Sequence, residues 1–254
     1  MTGAFSILIT GASSGIGRAL ARAYSEPGTT LALGGRDGRR LEETAAQCRG
    51  RGAAVTMRVV DVTDAPAMAR WVAEVDATRP LHLVIANAGI GDGLDEDPHR
   101  FADTRRIIEV NLTGALNTIE PALARMLPRR QGQIALMSSI AALRGIPGAQ
   151  GYCASKAALK ALAEGLRAPL AAEGIGVSLV MPGFVRTPMN EGRGFPTPLR
   201  LEPDRAARLI RRGLERERFL IVFPRALFWG SRLLNLWPGL ADALALRAGR
   251  RSRG

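Results

Sequence analysis

Tyr152 and Lys156 stand four residues apart in "YCASK", and the chain supplies few of either type. Tyrosine occurs only at 24 and 152, and lysine only at 156 and 160 among 35 basic residues. On a helix this spacing projects both side chains from one face. The chemistry open to the pair is proton transfer. A free phenol titrates near pH ~10, too high for efficient exchange near neutrality. An ammonium beside it stabilises the phenolate and lowers that value. Arginine would keep the charge but offers no compact point charge, so the rare lysine here has a specific use. Taken alone, a Tyr/Lys pair at this spacing reads equally as a helix-surface contact.

Elements that could position such a pair alternate along the chain. Strand-length apolar runs cover 5–10, 29–35, 53–62, 81–89, 132–141, 176–183 and 219–224. Helical patterns cover 15–26, 38–49, 66–77, about 100–126 and 151–173. Near-continuous apolar strands alternating with helices predict an α/β fold, a doubly wound, seven-stranded parallel Rossmann sheet with helices on both faces. Ligands of such sheets bind beyond the carboxyl ends of the strands.

The first strand end carries "TGASSGIG", with Gly11, Gly15 and Gly17 between strand and helix. Such a turn lets backbone and a helix N-terminus approach a pyrophosphate, with Ser13 and Ser14 as hydroxyl donors. A tight strand-to-helix turn would also use glycine. The spacing is not the G-x-G-x-x-G of most dinucleotide folds. It resembles the short-chain dehydrogenase/reductase (SDR) family, and the likeness extends over about 3–224.

The resemblance assigns roles in chain order. Gly11, Ser13, Ser14, Gly15, Ile16 and Gly17 form the nucleotide turn. "LGGRDGRR" has Gly35 then Arg36 where NAD-using members carry Asp. That resembles the NADP-preferring pattern and implies NADP ahead of NAD, with Asp37 close enough to keep NAD open. Asp61 and Val62 of "DVTD" would meet the adenine, while Thr63 or Asp64 serves as a helix N-cap before Pro66. Asn87, Ala88 and Gly89 would floor the adenine ribose. Pro182, Gly183, Val185 and Thr187 of "MPGFVRTP" would flank the nicotinamide, although a plain Pro-Gly turn reads the same way.

The catalytic set implied is Asn111, Ser139, Tyr152 and Lys156. Ser139 lies thirteen residues before Tyr152, a spacing that favours it over Ser138. Tyr152 would be the general acid in carbonyl reduction and the base in alcohol oxidation. Lys156 would lower its pKa and hold the nicotinamide ribose. Ser139 would donate to the carbonyl oxygen, and Asn111 would hold a water that returns protons to Lys156. The implied partner is a small carbonyl or secondary alcohol. A nucleotide-sensing regulator on the same fold is the competing function. Such proteins typically lose the Tyr or the Lys. An SDR-fold lyase or epimerase would be longer. Homo-oligomers are common in the family.

The bulk composition fits one well-buried core: 254 residues, 46% apolar and 23% charged. The net charge of +12 is spread along the chain and no nucleic-acid motif accompanies it, so no nucleic-acid partner is expected. Cys48 and Cys153 form no CxxC, and His82 and His99 have no ligand spacing, so neither a disulfide framework nor a metal is expected. Cys153 reads as a packing residue. The opening "MTGAFSILITGASSG" enters a strand without a basic leader, and a cytoplasmic enzyme follows as the default. The segment 188–213, with Gly and Pro crowding its first half, is where the family places a substrate lid. Residues 225–254 form a C-terminal helical extension of aromatic and leucine residues among arginines, which include Phe228, Trp229, Leu233, Leu234, Leu236, Trp237, Leu240, Leu244 and Leu246. Its apolar runs are too short to span a bilayer. It reads as packing on 1–224, as a subunit contact, or as a peripheral membrane surface that would favour a lipophilic substrate.

Overall fold

The structure, a computed structural model, describes residues 5–91, 101–190, 197, 199–237 and 239. Seven strands form one sheet: β1 Phe5–Thr10, β2 Thr29–Gly35, β3 Ala54–Val59, β4 Leu83–Ala86, β5 Gly132–Met137, β6 Ile175–Pro182 and β7 Leu220–Phe223. The order is β3-β2-β1-β4-β5-β6-β7 and every pairing is parallel. The chain builds outward from β1 to β3, then returns to pair β4 against the other side of β1. That reversal opens a crevice between the carboxyl ends of β1 and β4.

The period of two along each strand divides the core between two faces. Leu8, Val84, Leu136 and Leu179 pack with α3 (Ala65–Thr78), α5 (Gly114–Arg129) and α6 (Gln150–Ala172). Ile7, Ile9, Leu83, Ile85, Met137 and Val180 pack with α1 (Gly15–Ala23), α2 (Gly38–Arg49) and α7 (Pro203–Leu214). Strand β3 is the exception, because it is an edge. Most of its residues are exposed, and Arg58 pairs with Glu74 across its outer side.

Tertiary contacts move several of the expected boundaries: α1 ends at Ala23 rather than 26, and β3 at Val59 rather than 62. The helix expected over about 100–126 is α4 (Phe101–Ile108), a π-helical turn over Glu109–Thr113, then α5 running on to Arg129. β5 stops at Met137 rather than 141. Ser139 turns the chain there, its Oγ accepting from the Ala141 N–H at 3.1 Å to cap a short 3₁₀ turn. β4 stops at Ala86, leaving Asn87–Gly89 as a loop.

After β7, α8 (Arg225–Leu234) packs on β7 and on the turn at Ile140–Leu143. Phe228 is buried, and the Asn235 side chain donates to the Leu143 carbonyl at 2.7 Å. His99, the middle of the lid segment (191–196 and 198), and the end of the extension with Leu240, Leu244 and Leu246 lie outside the described residues. Among the described residues, no helix is long and apolar enough to cross a membrane.

Candidate active site

The glycine turn needs its glycines for space. Gly11 and Gly15 have φ of +68° and +53°, a region costly for residues with a side chain. A Cβ on Gly11 would lie 2.8 Å from the Ala88 Cα, and one on Gly17 only 2.1 Å from the Gly11 carbonyl oxygen. The turn is therefore pressed flat against the β4 loop. Helix α1 begins at Gly15, has no acidic residue in its first turn, and its N-cap residue Ser14 makes no side-chain cap bond. Those amides and the helix dipole suit an anion. Arg18 braces the turn by donating to the Ser13 carbonyl at 2.8 Å.

Thr10 fastens the switch point. Its hydroxyl oxygen accepts from the N–H groups of Asn87 (3.1 Å) and Ala88 (3.2 Å). The Asn87 side chain donates back to the Thr10 carbonyl at 3.0 Å. Our sequence reading did not single out Thr10, although it is the first letter of the glycine motif. Its signal was position at a strand end.

At the adenosine end, Asp61 Oδ1 accepts from the Thr63 N–H (3.0 Å) and hydroxyl (2.9 Å). The Thr63 N–H, helped by that hydroxyl and by the positive charges of Arg36 and Arg106, holds the Asp61 carboxyl below its ordinary range despite partial burial. Val62 packs under Gly114, where a Cβ would meet it at 2.5 Å. Asp64 is the N-cap of α3, accepting from the Ala67 N–H at 2.9 Å. Asp37 caps α2 by accepting from the Arg40 N–H at 2.9 Å. Arg36 lies 3.9 Å from the Asp61 carboxylate, so part of its charge faces the chain's own acid.

Ser138, Ser139, Tyr152 and Lys156 meet at the other end. The two serines divide their work. Ser138 is buried, and its Oγ donates to the Lys156 carbonyl at 2.7 Å, which ties β5 to α6. Ser139 donates to the Pro182 carbonyl only at 3.3 Å, so its hydrogen is weakly held and able to turn to a ligand. The Lys156 Nζ lies 5.5 Å from the Tyr152 ring centroid and donates to the Met137 carbonyl at 2.9 Å. Burial lowers the Lys156 pKa from 10.5 to about 8. Cys153 is buried behind this face.

Asn111 sits in the π turn and is 1% exposed. Its Oδ1 accepts from the Ile90 N–H at 2.8 Å, and its amide donates to the Ile90 carbonyl (2.9 Å) and to Ser155 Oγ (3.0 Å). Both amide hydrogens are thus committed. A water held by Asn111 would have to use the remaining lone pair of Oδ1 or its backbone. Ser155 donates in turn to the Tyr152 carbonyl at 2.8 Å. A continuous bridge therefore runs from the β4 loop to the helix carrying Tyr152 and Lys156.

Past β6, the Gly183 N–H donates to the Phe223 carbonyl at 2.7 Å. Val185 is buried and pairs with Leu201, and Thr187 leans over the first turn of α1, 3.0 Å from where a Gly15 Cβ would be. All of these segments line one cleft of about 340 Å³. It is walled by every residue expected at the site from the sequence, with one exception: Asn111 lies behind the wall. Ile90, Val110 and Met137 also line it and were not foreseen, and Pro188 and Met189 reach it from the start of the lid segment. They are apolar, and only the fold brings them to the cleft.

The short chain dehydrogenase family model matches residues 6–194. An uncharacterized oxidoreductase of Myxococcus xanthus (strain DK1622) is 35% identical over 242 residues, which cover 94% of this chain and 96% of that one. A short chain dehydrogenase/reductase from Burkholderia phymatum, solved in complex with NAD, superposes with a TM-score of 0.81 at 26% identity, covering 94% of this chain and 95% of that one. A short chain dehydrogenase from Mycobacterium paratuberculosis, bound to NAD, superposes with a TM-score of 0.75 at 25% identity, covering 87% of this chain and 95% of that one.

The chain belongs to the short-chain dehydrogenase/reductase family, and it is an oxidoreductase of the NAD(P)-dependent kind. The expectation of NADP ahead of NAD is overturned, since the two structural relatives carry NAD. The physical reason lies in the carboxylates that the fold sets around Arg36. Its guanidinium stands beside Asp61, and the carboxylate of Asp37 follows it directly.

Proposed function

We propose that the protein is an NAD-dependent oxidoreductase that interconverts a carbonyl and a secondary alcohol, with Tyr152 as general acid/base. The observation that carries this reading is the convergence of Ser139, Tyr152 and Lys156 on the same cleft as the glycine turn. The residues present fit a nicotinamide dinucleotide. Gly11 and Gly17 let the turn lie flat against the β4 loop with its amides at the cleft, the α1 N-terminus has no acid of its own, and Asp61 and Asp37 offer carboxylate acceptors to the adenosine half. When bound, that group supplies the hydride in reduction and takes it in oxidation.

The protein's own part is the proton. In reduction Tyr152 Oη gives its proton to the carbonyl oxygen as the alcohol forms. The Lys156 ammonium, held by the Met137 carbonyl, stabilises the phenolate left behind. Ser139 Oγ swings from its long bond to Pro182 and donates to the same oxygen, which fixes the carbonyl's angle. Asn111 and Ser155 position the helix rather than touch the substrate. In oxidation Tyr152 Oη takes the alcohol proton instead.

The test is consumption of NADH and NADPH with a panel of ketones and aldehydes, run beside Tyr152→Phe. NADH-linked turnover of at least one carbonyl is expected, lost in the variant. A variant that turns over as fast as the wild type would refute the role of Tyr152. Turnover with NADPH alone would refute the cofactor.

A further inference from the structure

Helix α8 has two unlike faces. Phe228 is buried in the core and Leu227 closes on Gly183, so the helix is firmly seated. Its other side, continued by the turn after it, exposes Trp229 (58%), Leu233 (59%), Leu236 (68%) and Trp237 (56%). Trp229 and Leu233 stand one turn apart on α8, and Leu236 and Trp237 follow in the turn whose N–H groups donate back to the Leu233 and Leu234 carbonyls, so the four form one stripe. Four large apolar side chains left in water beside one another mark a docking surface.

The charge around the stripe selects the occupant. Residues 225–254 contain six arginines and a single acid, Asp242. Among the described residues, Arg225 and Arg232 have no acidic partner within ion-pair distance. Arg232 instead lies over the Trp229 ring, 5.9 Å from its centroid. Pairing this face with itself in a two-fold dimer would bring like charges together, which is unfavourable. Tryptophan and leucine flanked by arginine suit the boundary between anionic headgroups and acyl chains. We infer that the exposed face of α8 docks onto an anionic lipid surface, a role separate from the hydride chemistry.

The probe is phosphatidylcholine vesicles with and without phosphatidylserine, and the protein reports on itself. Of three tryptophans, Trp71 is buried and the other two lie in the stripe. Docking is expected to shift the emission to the blue and to sediment the protein with serine-containing vesicles, less so at high salt. Burying a large apolar side chain is worth about 1.5–3 kcal/mol, so Trp229→Ser with Trp237→Ser is expected to weaken vesicle binding at least about tenfold. Arg232→Glu should weaken it about fivefold or more. Both changes lie on exposed positions, and unchanged thermal unfolding confirms that the fold is intact. Absence of both sedimentation and the blue shift with anionic vesicles would overturn the inference. So would a tryptophan variant that changes the sedimentation coefficient of the lipid-free protein while the wild type ignores vesicles, since the face would then be a protein contact.

Discussion

Replacing Lys156 with methionine should make the protein more stable while destroying its turnover. The ammonium is buried, and its pKa falls from 10.5 to about 8 because it has lost water. That difference is a penalty of roughly 3 kcal/mol on the charged form, since one pKa unit is about 1.4 kcal/mol. Below pH about 8 both the folded and the unfolded chain carry the proton, and the penalty is constant. Between about 8 and 10.5 the unfolded chain holds a proton that the folded chain has released, so stability rises with pH and the penalty fades. Methionine keeps the length and drops the charge. Against the gain, the hydrogen bond to the Met137 carbonyl and the contact with the Tyr152 ring are lost, at about 1 kcal/mol each. The balance is about 1 kcal/mol in favour of the variant at pH 7, or roughly 3 °C in Tm. At pH 10.5 the folded wild-type amine is neutral and the penalty of roughly 3 kcal/mol is gone, so the variant becomes the less stable by about 2 kcal/mol. Urea unfolding of the nucleotide-free proteins at both pH values measures this, because other titrating groups cancel in the difference. Carbonyl turnover of the variant should fall by about a hundredfold or more, as expected when a general acid loses the charge that tunes it. A variant less stable than wild type at pH 7, or a stability difference that does not move between the two pH values, would refute the buried-charge account.

The paired serines should separate cleanly. Ser138→Ala is expected to cost about 1 kcal/mol of stability through its buried bond to the Lys156 carbonyl, with turnover near wild type. Ser139→Ala should cost about 1 kcal/mol through its lost cap on the Ala141 N–H and, unlike Ser138→Ala, cut turnover about a hundredfold; equal effects of the two on turnover would contradict the assignment. Gly17→Ala puts a Cβ 2.1 Å from the Gly11 carbonyl and should abolish NADH binding in a calorimetric titration, whereas Gly230→Ala, in open space on α8, should bind normally.

The fold was legible because its signals are local and repeated. Strand-length apolar runs end in small or polar residues, and parallel pairing follows from the alternation with helices. The cleft residues were legible where a short motif held the chemistry, as at Gly11–Gly17 and Tyr152–Lys156. Three things were not. The π turn that breaks the expected helix coincides with bonds from Asn111 to Ile90 and Ser155, which lie 21 and 44 residues away. The cofactor preference was misread because Arg36 meets Asp61 only through the pairing of β2 with β3. The apolar wall of Ile90, Val110 and Met137 carries no motif at all, since packing alone brings those side chains to the cleft.

The central claim is that Tyr152 moves the proton in a cleft that holds NAD independently of it. The direct measurement is a single turnover with NADH deuterated at the transferring position, made on the wild type and on Tyr152→Phe, together with the NADH Kd of each. The account predicts deuterium on the product carbon with the wild type, a Kd within a few-fold for the two proteins, and product formation reduced by about a hundredfold or more in the variant. Deuterium delivered at the wild-type rate by Tyr152→Phe would contradict it.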